Sequence, residues 1–171
     1  MRTATISLAL TLAIAALTGS LMAKPVPGDI DPPQNLTVTY RSGYVVFTWE
    51  PVEGATKYSL CTKGIVTWSD GTQRYQTCIK QDFGTQDDIG MTGEITDGDG
   101  NVTGVYLAIP ETAFVRLALA AIEAEGVDRA TVVGLKVDGA AKVKGLNPGK
   151  GMGRQNNLFS EPATFEVTWV R

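Results

Sequence analysis

From Leu36 onward the chain alternates apolar and polar residues in short runs. Leu36-Thr37-Val38-Thr39-Tyr40 is the first, and Tyr44 to Trp49 follows after an Arg41-Ser42-Gly43 turn. Lys57-Tyr58-Ser59-Leu60-Cys61 resumes the pattern beyond a break at Glu50–Ala55. A period of two sends successive side chains to opposite faces of a sheet, so each run predicts a strand with one buried face. Ile65 to Thr72, with Asp70-Gly71 inside it, reads as a strand entering a hairpin turn. The Gly-, Thr- and Val-rich composition points the same way, toward an all-β fold.

The first residues depart from this pattern. Met1-Arg2 is a short positive start, Ile6 to Leu17 carries no charge, and Leu21-Met22-Ala23 places a small residue where a cut would fall. Residues 1–23 therefore read as a secretory signal peptide, too short in its apolar run to span a bilayer. No other stretch is apolar enough for stable membrane insertion, so the expected location is secreted, periplasmic or cell surface. Residues 24–33 hold four prolines and form an extended leader. Residues 34–171 then make one domain.

Charge and composition remove several function classes. The full chain has 15 bases and 18 acids for a net charge of −3, and losing Arg2 with the signal makes that −4. A mildly acidic chain argues against general nucleic-acid binding, which depends on phosphate neutralisation. Histidine is absent, which removes Ser-His-Asp and Cys-His catalysis and the imidazole metal ligands. The expectation is a non-enzyme with no cofactor.

Two cysteines in an exported chain predict one disulfide. With Trp68–Gly71 as a four-residue loop, facing partners across the hairpin have numbers summing to 139, which sets Cys61 against Cys78.

Three stretches carry a family resemblance. Pro33-Gln34-Asn35-Leu36-Thr37-Val38, Val46-Phe47-Thr48-Trp49-Glu50-Pro51-Val52 and Gly54-Ala55-Thr56-Lys57-Tyr58-Ser59-Leu60 resemble strands A, B and C of a fibronectin type III domain. Trp49 and Tyr58 match that family's central core aromatics. Val105 to Phe114 resembles its strand E and following corner, with Phe114 in place of the corner tyrosine. Phe159 to Trp169 resembles strand G. The resemblance implies a fibronectin type III-like antiparallel β-sandwich and requires strand F at Arg116–Gly126. Propensity there favours a helix, with Pro110 and Glu111 at its start and Gly126 as a stop. A strand is expected because tertiary context overrides propensity. The family's domain is about 100 residues long, which leaves insertions at about 80–104 and 127–158.

The candidate chemistry lies in those insertions. Asp82 to Glu125 contains nine acids and one base, among them Asp82, Asp87 and Asp88. Gly126 to Leu158 contains six bases and two acids, the bases including Lys136, Lys142, Lys144, Lys150 and Arg154. Segments of opposite charge suit docking to a partner or between copies. Asp97, Asp99 and Asn101 have calcium-loop spacing, but Val102 and Ala108 stand where that loop needs its glycine and glutamate. A hairpin turn between Glu94-Ile95-Thr96 and Val102-Thr103-Gly104-Val105 is the better reading. The function expected is a non-catalytic binding module for a protein or glycan. The alternative is a self-associating subunit of an extracellular filament or matrix.

Overall fold

A computed structural model describes residues 30–71, 74–84, 91–147 and 158–171. The expected signal segment, most of the expected leader, and the candidate residues Asp87, Asp88, Lys150 and Arg154 lie outside them. Eight strands are described: β1 (Thr37–Arg41), β2 (Tyr44–Trp49), β3 (Lys57–Ser69), β4 (Arg74–Gly84), β5 (Met91–Thr96), β6 (Val102–Pro110), β7 (Gly134–Leu146) and β8 (Ala163–Val170). One helix, α1 (Glu111–Ala124), joins β6 to β7 by way of a 3-10 turn at Arg129–Thr131.

The strands form two antiparallel four-stranded sheets, ordered β1-β2-β6-β5 and β4-β3-β7-β8. The protein is an all-β sandwich. Its order is the A-B-E-D against C-F-G arrangement of immunoglobulin-like domains, with β4 added beside β3. The core lies between the sheets, where the inward phase of each strand supplies Phe47, Trp49, Leu60, Val66, Val137, Val143 and Phe165, all nearly or fully buried. Trp49 packs edge-on against Tyr58 with ring centroids 5.3 Å apart, and the Tyr58 hydroxyl accepts the Val52 N–H at 2.9 Å. Both aromatics are core residues, as the alternation indicates. Among the described residues no helix is long and apolar enough to cross a membrane.

The structure corrects two expectations about the chain's second half. Arg116–Gly126 is not a strand: it belongs to α1 and the turn that ends it, and the place of strand F is taken by β7. Local preference and packing agree here. Gly126 ends the helix with φ +84°, and Phe114, Ala118 and Ile122 form a stripe at four-residue spacing that is fully buried. The second sheet's long strands expose more inner surface than the shorter first sheet covers, and α1 buries the excess. Its first turn brings Phe114 against Phe83 of β4 and Phe165 of β8, with centroids 5.5 and 4.8 Å apart. Near its C-terminal end Glu125 accepts a hydrogen bond from Thr77 of β4. Phe114 is therefore a core anchor on a helix and not a strand corner.

The second correction follows from the first. The segment 127–158 is no surface insertion, since it contains β7, which pairs with β3 and β8 in the centre of its sheet. The segment 80–104 likewise holds the end of β4, all of β5 and the start of β6.

Candidate functional site

Each long strand of the second sheet gives one residue phase to the core and the other to solvent. In β3 the even-numbered residues from Leu60 to Trp68 are buried, so the odd-numbered ones point outward. The pairing registers place the even-numbered residues of β4, β7 and β8 on that same outer face. Lys57 and Lys63 of β3, Arg74 and Lys80 of β4, and Lys136, Lys142 and Lys144 of β7 therefore share it. The acids on the face are Asp82, Asp138 and Glu166. Seven of the 11 bases among the described residues are here, against three of the 15 acids. The face carries +4, while the other described residues (four bases, 12 acids) carry −8. An acidic protein has one basic side.

The charge on this face is also graded. At one end Lys136 is held by Asp138 at 2.9 Å and Glu166 at 2.7 Å, contacts that keep its ammonium above the ordinary lysine range. That end, with Arg74, is neutral. At the other end Lys57, Lys63, Lys80, Lys142 and Lys144 face one acid, Asp82, whose carboxylate accepts a hydrogen bond from Ser59. Lys63 stands directly opposite Lys80, and neither they nor Lys142 forms an ion pair among the described residues. Like charges opposed across a strand pair destabilise a sheet. Lys144 is positioned by Phe159, its ammonium 5.2 Å from the ring centroid. Phe159 is fixed in turn by Ser160, which donates its backbone N–H to Val143 and accepts the Val143 N–H on its hydroxyl.

Cys61 sits at the centre of the basic end, between Asp82 on β4 and Lys142 on β7. Its thiol is pushed up from the ordinary value by burial first and by the Asp82 carboxylate second; Ser59 and Lys144 oppose the shift. The group is thus kept as a neutral thiol, a poor nucleophile. Its folded form titrates above its unfolded form, so this linkage favours folding below the ordinary thiol range and is lost as pH rises through it.

The expected disulfide is not formed, and both cysteines are free. Trp68 is a buried strand residue stacked on Tyr75 (5.4 Å, 23°) and not part of the turn. The strands consequently run on to Ser69 and Arg74, and facing partners sum to 143. Cys61 faces Asp82 and Cys78 faces Ile65. Four residues of strand separate the two thiols, about 13 Å, whereas a disulfide needs Cα atoms within about 7 Å. Iodoacetamide at pH 8 is expected to label exposed Cys78 quickly and Cys61 slowly, without prior reduction, and Asp82→Asn to quicken the second step. An intact mass showing a bridged pair in untreated protein would contradict this register.

The other sequence candidates separate. Asp82, Lys142 and Lys144 come together around Cys61, while Asp97, Asp99 and Asn101 lie elsewhere, in the β5–β6 hairpin turn. The Asp97 carboxylate accepts the backbone N–H groups of Asp99 and Asn101 and the Asn101 side-chain amide, bonds that lower its pKa. Its oxygens organise a turn. Among the described residues no group of three or more acids or cysteines could hold a metal ion. The bases missed in the sequence, Lys57, Lys63, Arg74 and Lys80, were detectable: within β3 and within β4 the two are six residues apart, an even number that fixes them on one face.

The first sheet's outer face differs in kind. Tyr44, Val46, Met91, Ile95 and Tyr106 line a groove of about 500 Å³ in which Arg41 is the charged residue. Comparison of the chain with protein-family models, with curated proteins and with solved structures finds no match.

Proposed function

We propose that this protein is an exported, non-catalytic binding module of the fibronectin type III type, which meets a protein or glycan partner through the outer face of its second sheet. The observation that supports this reading is the segregation of charge: the bases gather on one face of a protein whose other described residues are acidic. Such a face raises the encounter rate with an oppositely charged partner and fixes its orientation. The central Cys61 thiol is held neutral, which suits a surface that binds and does not react. Export rests on the charged start, apolar run and small cut-site residue of segment 1–23.

The reading is tested by presenting the protein and its Lys63→Glu/Lys142→Glu variant to immobilised arrays of surface proteins and glycans. The wild-type protein is expected to bind a restricted set, and the variant to lose it. Binding that survives the double reversal, or none by either protein, would overturn the proposal.

A further inference from the structure

We infer that the occupant of this face is an extended anionic polysaccharide, carrying carboxylate or sulfate groups at intervals along a chain; this rests on the binding-module reading above. The basic end of the face has the dimensions of a strip. Lys57 and Lys63 are six residues apart on β3, about 20 Å of strand, and the bases of β4 and β7 flank that line at about 4.8 Å per strand. The resulting surface is long and narrow, and a linear polymer can contact it along its length.

The residue types select among polyanions. All five bases of the strip are lysines, compact charges on flexible stems that adapt to separated anionic groups without demanding one planar geometry. Duplex DNA presents a charge every 1.7 Å or so along its axis, a denser array than five lysines spread over about 20 Å of strand can match. Single strands are held by a row of aromatic residues interleaved with the bases; here Phe159 lies under the Lys144 ammonium and Tyr40 shares a groove with Lys63, while the outward positions between the lysines are Ser59, Cys61 and Asp82. An anionic bilayer is an extended plane, whereas the unpaired bases of this face are confined to a strip beside a neutral end.

The cost to the fold points to a ligand as well. Lys63 and Lys80 are opposed across β3 and β4, an arrangement that weakens the pairing. A polyanion lying along the strip would reverse the sign of that interaction. Replacing these charges should therefore preserve or raise stability while removing binding, which a structural role for the lysines would not do.

The experiment uses purified protein with dextran sulfate and neutral dextran, which share a backbone, and with a duplex oligonucleotide and phosphatidylglycerol vesicles. Dextran sulfate is expected to bind and neutral dextran not to. Affinity should fall at least about tenfold between roughly 50 and 200 mM salt. Lys63→Glu/Lys142→Glu should lose about tenfold or more, as expected for basic residues against an anionic surface, with no fall in melting temperature. Arg116→Glu, an exposed helix position away from the face, should retain wild-type affinity. Equal losses in the two variants, or tighter binding to the oligonucleotide or vesicles than to dextran sulfate, would overturn the inference. If dextran sulfate fails while charge reversal still abolishes array binding, the polysaccharide is wrong and the module stands. Failure of both experiments removes both readings.

Discussion

Replacing Phe114 by alanine is expected to destabilise the protein by about 3–5 kcal/mol, the range for deleting a buried phenylalanine, and to lower its melting temperature by roughly 10 °C for a chain of this length. Phe114 is fully buried and lies between Phe83 and Phe165. Phe165 continues the contact to Phe47, 5.8 Å away edge to face. The ring thus connects the helix to both sheets through one aromatic chain, and its loss would open a cavity at their junction. Local propensity pulls the other way, because alanine is the better helix former. A large loss must therefore come from packing, and a change of less than about 1 kcal/mol would mean that α1 is docked weakly. Urea unfolding followed by circular dichroism and by tryptophan fluorescence makes the measurement. Coincident transitions at lower urea are expected; a helix that melts first would show α1 to be a separate unit.

Gly139→Ala should also be damaging, although it adds one methyl group. Gly139 of β7 faces Gly64 of β3, and the pair leaves a shallow valley in the inner face of the sheet. The Phe165 ring lies in that valley over Gly139, where a methyl group would overlap it. The ring has nowhere to retreat, since Phe47 and Phe114 pack against it. Overpacking of this kind costs about 1–3 kcal/mol, and the entropy gained by removing a glycine from the unfolded chain returns about 0.4–1 kcal/mol. A net loss of about 1–2 kcal/mol is expected. The double variant Gly139→Ala/Phe165→Leu provides the check. If the overlap is the cause, alanine at 139 should cost less than about 0.5 kcal/mol once the ring is gone. An unchanged cost would place the damage in the strand backbone.

These two positions also show how much of the fold was legible. The helix that carries Phe114 was legible from Pro110, Glu111 and Gly126; the family resemblance requires a strand there and runs against a correct local signal. The displaced strand was legible too. In Gly134–Leu146, Leu135, Val137, Ala141 and Val143 point inward and Lys136, Asp138, Lys142 and Lys144 outward. Its glycine and lysine content hides an ordinary alternation. Gly139 was not legible, because only the ring of Phe165, 26 residues further on, makes glycine necessary there.

The candidate site divides in the same way. Lys136, Lys142 and Lys144 were singled out as part of a basic segment, and the structure keeps them on one face. It adds Lys57, Lys63, Arg74 and Lys80, whose phase within each strand is a sequence property but whose neighbours across the sheet are not. A shift of two residues in the hairpin tip, set by the burial of Trp68, moved Cys78 four positions from the partner that spacing assigns it.

What the sequence by itself determined is the alternation within each strand, the start and stop of α1, the Asp97 turn and the residues that must be buried. These depend on neighbours a few positions away, and local sterics and hydration act at that range. Only the tertiary structure decided the order of the strands, the register of the β3–β4 hairpin and the gathering of seven bases on one side of an acidic protein. Those depend on which distant surfaces bury one another, and a one-dimensional pattern of charge and hydropathy does not contain that choice.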